Sequence, residues 1–355
     1  MMAGATVAHA RSVAQLAEDL MQIRPTVLIA VPRIFERVHA RIMGQLEKKS
    51  MLPRALFRAT VRLGWRQFLR RQGRARWTPG LVVFPLLKRL VGNKVTARLG
   101  GQVRYAVSGG AALPFPVAKT FIGLGLEILQ GYGLTETSPV ITVNRPGHND
   151  PASVGEPLRG MEVRIGENDE LLVKSPGIML GYWNNHAATA EMIDPDGWLH
   201  TGDQARIEDG CVYITGRIKD ILVLSNGEKV PPADMEAAIC MDPLFDQALV
   251  LGEGRAWLGA LLVVNSDLWF GFARESGLDP FQRESLEDDR LQRKVLARVR
   301  QQLHDFPGYA KIRRAVLTLE PWTVENGLLT PTLKVKRAKV LEQCVDQVEA
   351  LFEER

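Results

Sequence analysis

Apolar positions along this chain follow two rhythms, one of period two and one of helical period, and their alternation predicts its elements. The β-branched run Thr26-Val27-Leu28-Ile29-Ala30-Val31, closed by Pro32, predicts a short buried strand, and residues 33–49 predict a helix behind it. A second helical stretch covers 52–76. Residues 103–108 repeat the strand pattern, a helix is expected to begin near Pro114, and Leu126-Glu127-Ile128-Leu129 leads as a strand into a glycine-rich turn. Strands alternating with helices in this order predict a layered α/β domain.

Between residues 140 and 216 the runs shorten and are punctuated by glycine. Val163-Arg164-Ile165 and Glu170-Leu171-Leu172-Val173 are examples, and they predict antiparallel strands of a small β subdomain, in which Trp183 is expected to pack, a substrate contact being the alternative. Mixed texture returns after Asp220, with a hairpin at Ser225-Asn226-Gly227, a helix from about Ala233, strands near Ala248 and Leu261, and helices near 290–303 and 335–353. The expected division is a partial α/β nucleotide-binding domain (1–138), a β subdomain (139–218) and a C-terminal α+β domain (219–355), with the boundary at 218–220 and relative motion across it.

Composition narrows the class. The 355 residues are 46% hydrophobic and 24% charged, as in an ordinary globular protein. Cys211, Cys240 and Cys344 are odd in number and far apart, which argues against a disulfide framework or a zinc site and fits a reducing cytoplasm. The opening lacks a signal peptide's basic start and apolar run, and no stretch is long and apolar enough to span a membrane. The +5 formal charge is modest, but Arg54, Arg58, Arg62, Arg66, Arg70, Arg71, Arg74 and Arg76 fall in one segment without an acid. At helical spacing Phe57, Val61, Trp65 and Phe68 form a stripe beside Arg58, Arg62, Arg66 and Arg70. Peripheral membrane contact through 54–76 is one expectation for this pattern, and a helix packed on its own domain is the other. No nucleic-acid partner is expected.

Candidate chemistry begins at Gln130-Gly131-Tyr132-Gly133-Leu134-Thr135-Glu136-Thr137, where a glycine-punctuated turn precedes a hydroxyl and a carboxylate. Amides of such a turn can form an anion-binding concavity, and a carboxylate suits a hard cation. Ser108-Gly109-Gly110-Ala111-Ala112-Leu113 ends a strand with small residues that let a flat base approach the backbone; taken alone it is a tight strand-to-helix turn. Asp203, in Trp198-Leu199-His200-Thr201-Gly202-Asp203, can accept from two vicinal hydroxyls, and Arg217, in Gly216-Arg217-Ile218-Lys219-Asp220, supplies forked donors. Near the end comes Asn326-Gly327-Leu328-Leu329-Thr330-Pro331-Thr332-Leu333-Lys334. The histidines show no ligand-like spacing and are assigned no role.

These motifs, in this order, resemble the adenylate-forming superfamily of acyl-CoA synthetases, peptide-synthetase adenylation domains and luciferases. Ser225-Asn226-Gly227-Glu228-Lys229-Val230-Pro231-Pro232, the segment ending in Lys334, and Ile23-Arg24-Pro25-Thr26 through Val31-Pro32-Arg33-Ile34-Phe35-Glu36-Arg37-Val38 most resemble its long-chain fatty acyl-CoA synthetases. The resemblance implies ATP (with AMP as product), Mg²⁺ and coenzyme A, with a fatty acid as the substrate. It puts Gly110, Ala111, Ala112, Gln130, Gly131, Tyr132 and Gly133 around the nucleotide, Thr135 on the α-phosphate and Glu136 on Mg²⁺. Asp203 and Arg217 would hold the ribose, Lys219 and Asp220 would form the hinge, and Lys334 would be the catalytic lysine. The superfamily's glycine-, serine- and threonine-rich phosphate loop is not found in these 355 residues. The sequence therefore reads as an N-terminally truncated chain of this family, expected to self-associate or to pair with a missing N-terminal half. A noncatalytic nucleotide- or partner-binding remnant, or a ligase for another carboxylic acid, is the alternative. The expected location is the cytoplasm, at the inner face of a membrane if 54–76 binds one.

Overall fold

The computed structural model describes residues 4–12 and 15–353; residues 1–3, part of the opening read above, lie outside the described residues. The chain divides into two units. The first comprises 1–165, 172–201 and 206–214, and the second 166–171, 202–205 and 215–355.

In the first unit, α1 (Leu16–Ile23) precedes β1 (Val27–Ala30), and Pro32, whose missing N–H costs nothing in a first turn, opens α2 (Pro32–Glu47). Then come α3 (Met51–Arg71) and the short helices α4 (Phe84–Leu87) and α5 (Asn93–Ala97), joined by a π turn at Lys88–Gly92. β2 (Tyr105–Ser108), α6 (Phe115–Gly123) and β3 (Glu127–Gly133) follow, and β4 (Val140–Val143) and β5 (Glu156–Pro157) complete a sheet of order β1-β2-β3-β4-β5. Its first three strands are parallel, with Ala30 opposite Ser108 and Ser108 opposite Gln130, so each crossover needs the intervening helices. β4 and β5 add antiparallel.

The helix expected over 52–76 stops at Arg71: Gly73 takes φ +71° and the Arg74 N–H returns to the Leu69 carbonyl, a glycine C-terminal stop. Its apolar stripe faces inward. Phe57 and Phe68 are buried, Trp65 stacks on Phe68 and meets Phe115 of α6 edge-on, and Arg58, Arg62, Arg66 and Arg70 are exposed. A Cβ on Gly64 would stand 1.8 Å from the Gly123 carbonyl oxygen, so α3 and α6 meet backbone to backbone.

A four-stranded sheet of order β6-β7-β8-β9 is built from β6 (Glu162–Ile165), β7 (Glu170–Lys174), β8 (Leu199–Glu208) and β9 (Cys211–Arg217), with α7 (His186–Met192) before β8. Trp183, expected to pack among these strands, is instead 92% exposed.

After β9 the second unit continues with β10 (Leu222–Val223) and β11 (Lys229–Val230), paired antiparallel as the expected hairpin with Gly227 at φ +84°. Next come α8 (Pro232–Ile239), β12 (Phe245–Leu251), β13 (Leu258–Val264), α9 (Ser266–Glu275), α10 (Asp289–Gln302) and β14 (Ile312–Thr318). The helix expected near 335–353 arrives as α11 (Arg337–Gln343) and α12 (Val345–Phe352). β13 is the middle of a three-stranded sheet, antiparallel to β12 and parallel to β14. Alternate residues enter two cores. Ala260, Leu262 and Val264 join Met235, Trp269 and Val295, whereas Leu261 and Val263 join Trp322, Leu328 and Val340. A strand covered on both faces reads as an unbroken apolar run, which is what Leu258 to Val264 shows.

Candidate nucleotide site

The candidate residues of the first unit cluster at the carboxyl ends of β2 and β3, where open α/β sheets hold their ligands. Gly110 takes φ +87° with open space on its Cβ side, so Gly110, Ala111 and Ala112 form a low wall. Gln130 is buried and fixes that wall: its Oε1 accepts from the Leu113 N–H at 3.0 Å and its Nε2 donates to the Pro151 carbonyl at 2.6 Å. The glycines flanking Tyr132 have a packing cause. A Cβ on Gly133 would lie 1.9 Å from the Pro139 carbonyl oxygen, so the backbones can approach this closely only with glycine there, and one on Gly131 would lie 3.2 Å from the Thr142 carbonyl oxygen, a tight contact.

Thr135, Glu136 and Thr137 make a single helical turn after β3. Thr137 is buried and holds the turn, accepting from the Leu134 N–H and donating to the Pro139 carbonyl, while Thr135 stays exposed. Glu136 is half-buried and its Oε1 accepts from the Tyr182 hydroxyl at 2.8 Å. Partial burial, and then Glu136, raise the Tyr182 pKa, so the phenol remains the donor. No cluster of three or more metal-ligating side chains exists among the described residues. A single carboxylate nevertheless suits Mg²⁺, which commonly takes one or two carboxylates and fills its other positions with phosphate and water oxygens.

The second unit gathers Asp203, Arg217 and Lys334. Asp203 lies in β8 and Arg217 ends β9; the Arg217 Nε donates to the Asp203 Oδ1 at 2.7 Å. The carboxylate is nearly buried, whereas the Arg217 side chain is 51% exposed. Gly202, at φ +68°, sends its N–H to the Glu170 carboxylate, fixing the backbone beside Asp203. Lys219 and Asp220 are exposed in the short turn Ile218–Asp220 between β9 and β10.

Lys334 closes a tight turn. The Leu333 N–H reaches the Thr330 carbonyl, the Thr330 N–H reaches the Lys334 carbonyl, and Leu333 is held at φ +64°, a conformation that costs a non-glycine residue on the order of 1 kcal/mol or more. Although Lys334 reaches solvent, partial desolvation of its ammonium lowers its pKa; Arg217 acts in the same direction, and Asp203 and Asp220 oppose them. The Arg337 guanidinium is engaged by Glu236 and the Val250 carbonyl, which ties the start of α11 to α8 and β12 and braces the Lys334 turn. Burial pushes the Glu236 carboxyl up, and Arg337 pulls it back.

Tyr182, Glu236 and Arg337 were not singled out by the sequence. Tyr182 is 46 positions from Glu136 and Arg337 is 101 from Glu236, and no local pattern connects such pairs.

Residues 1–183 match the family described as AMP-binding enzyme, and residues 219–355 match the AMP-binding enzyme C-terminal domain. The long-chain-fatty-acid–CoA ligase FadD15 of Mycobacterium tuberculosis is 33% identical over 353 residues, 98% of this chain and 58% of the ligase. The peroxisomal long chain acyl-CoA synthetase 6 of Arabidopsis thaliana is 32% identical, over 96% of this chain and 50% of its own length. The chain thus spans between half and three-fifths of these relatives. The adenylation domain of a carboxylate reductase from Mycobacterium chelonae superposes with a TM-score of 0.72 over 97% of this chain and 49% of that one; at 23% identity this shows the fold alone.

Proposed function

Because the chain belongs to the AMP-binding enzyme family, we propose that it is the ribose-, α-phosphate- and lysine-bearing part of an AMP-forming fatty acid–CoA ligase. The observation that carries this reading is the ion pair in which the Arg217 Nε donates to the Asp203 Oδ1 at 2.7 Å, in the same unit as Lys334. Lys334 lies more than a hundred positions beyond the other two, yet its ammonium sits in their fields.

In the proposed reaction a fatty carboxylate oxygen attacks the α-phosphorus of ATP and the bond to pyrophosphate breaks. The thiolate of coenzyme A then attacks the acyl carbon, and AMP leaves with the bonding electrons. Tyr132 and the wall from Gly110 to Ala112 flank the adenine, Asp203 and Arg217 hold the ribose, and the Thr135 hydroxyl donates to an α-phosphate oxygen. Glu136, steadied by Tyr182, would hold Mg²⁺, which supplies positive charge against the phosphates. Lys334 donates to both the carboxylate and the α-phosphate, where negative charge gathers in the first transition state. Lys219 and Asp220 provide the backbone rotation that exchanges one face of the second unit for another between the two steps.

Acid-dependent pyrophosphate release, acyl-AMP and acyl-CoA should be followed with the chain alone and with the phosphate-loop half of a relative supplied in trans. Correct orientation of two substrates is worth roughly 7 to 11 kcal/mol, so turnover with fatty acids is expected only in the second case. Turnover with aryl acids alone would move the substrate class. AMP binding without adenylate formation in either case would support a nucleotide-binding remnant.

A further inference from the structure

Residues 48–126 contain no Asp or Glu, yet they hold sixteen Lys and Arg; the net charge of +5 therefore leaves −11 for the rest of the chain. This stretch lies in the first unit and includes α3 and the helical run from Pro79 through α5. That run is inverted in character. Leu81, Leu87 and Gly92 are buried, while Val82, Leu86 and Leu90, four residues apart, are 70%, 57% and 48% exposed, with Val83 beside them at 48%. Arg89, Lys94 and Arg98 are exposed along the same run, and Trp77, 53% exposed, stands before it. α3 packs alongside and exposes Arg58, Arg62, Arg66 and Arg70. A cleft of about 650 Å³ between 62–69 and 75–80 combines Leu63, Trp65 and Leu69 with Arg62, Arg66 and Arg76.

A contiguous exposed apolar ridge calls for an occupant, and the charge around it restricts the choice. A nucleic acid would use the cations and leave Val82, Leu86 and Leu90 in water. An anionic bilayer uses both: apolar side chains enter the boundary between headgroups and acyl chains, and long basic side chains lie back along the surface to reach lipid phosphates. We propose that the ridge Val82-Val83-Leu86-Leu90, flanked by Arg89, Lys94, Arg98 and the arginine row of α3, docks the first unit onto an anionic lipid bilayer. The inserting residues are those of the 79–97 run, because the stripe of α3 is occupied by its own core. This inference is independent of the ligase reading.

The test is co-sedimentation of the full 355-residue chain with phosphatidylcholine vesicles and with vesicles rich in phosphatidylglycerol, at low and high salt. Binding is expected to the anionic vesicles alone and to weaken with salt. Each basic group near such a surface contributes about fivefold, so the combined R58Q, R62Q, R66Q and R70Q variant should bind at least tenfold more weakly. The L86Q/L90Q variant, both positions being exposed, should keep its circular dichroism and its salt dependence yet also bind about tenfold more weakly, each Leu losing inserted apolar area. The proposal is overturned by no binding to anionic vesicles, by equal binding to phosphatidylcholine, or by L86Q/L90Q binding as tightly as the parent. Binding to duplex DNA that the four-arginine variant loses and L86Q/L90Q retains, with no vesicle binding, would assign the surface to nucleic acid instead.

Discussion

Lys334 follows a leucine held at positive φ and lies in the fields of Arg217, Asp203 and Asp220, so turn and environment together fix where its charge acts. Only adenylation builds negative charge on carboxylate and phosphate together. Lys334→Ala, assayed with the phosphate-loop half present, should therefore abolish acyl-AMP formation yet still convert supplied acyl-AMP with coenzyme A. Equal loss of both steps would remove Lys334 from this role. The sequence pointed to this residue through its position after Pro331-Thr332-Leu333, whereas Tyr182 became visible only when the fold carried its hydroxyl to Glu136. His39 gives a separate prediction at this scale. It is buried, and burial holds its pKa down to about 4 against an ordinary 6.5. Since the folded form binds this proton more weakly than the unfolded form, stability is full above 6.5 and declines as the pH falls toward 4. The loss is on the order of 3 kcal/mol. Urea midpoints measured across that range should fall further for the parent than for His39→Leu; parallel curves would contradict the assignment.

Glycines separate two kinds of helix at the scale of elements. Gly44 in α2 has nothing within 4 Å of a built Cβ, whereas Gly64 in α3 would drive one into Gly123 and Phe84. Gly44→Ala should stabilise by about 0.5 to 1 kcal/mol, and Gly64→Ala should destabilise by roughly 1 to 3 kcal/mol. Urea unfolding of both variants checks the pair, and a neutral Gly64→Ala would mean that α3 and α6 do not cross this closely. The strong elements were legible where one face is buried and the other wet, as in α2, α3 and α10, or where both faces are buried, as in β13. The helices of 84–97 were not, because apolar residues lie on their outward side as well as their inward side and blur the period. α9 and β14 also escaped the sequence reading, although each fills a core position in the second unit.

Across the whole molecule, the residues proposed to hold the nucleotide fall in different units, Glu136 and Thr135 in the first and Asp203, Arg217 and Lys334 in the second. The order of motifs showed the superfamily, since four chemically suited segments in one sequence order constrain the fold more than any periodicity does. The braces that hold those motifs, Gln130 to Leu113 and Arg337 to Glu236, are long-range contacts without a local signature. The proposed change of working face through 219–220 would make that turn sensitive to φ. Lys219→Pro is accordingly expected to slow conversion of acyl-AMP to acyl-CoA while sparing adenylation, with the phosphate-loop half present, and a normal rate of thioester formation would refute the hinge. The nucleotide site itself is tested most directly by calorimetric titration of the 355-residue chain with AMP, beside its Asp203→Ala variant. One AMP should bind per chain, and the variant should bind about tenfold or more weakly, the loss of a charged hydrogen bond being worth about 1.5 to 3 kcal/mol. Undetectable AMP binding by the parent, or equal affinity in Asp203→Ala, would contradict the nucleotide site described above.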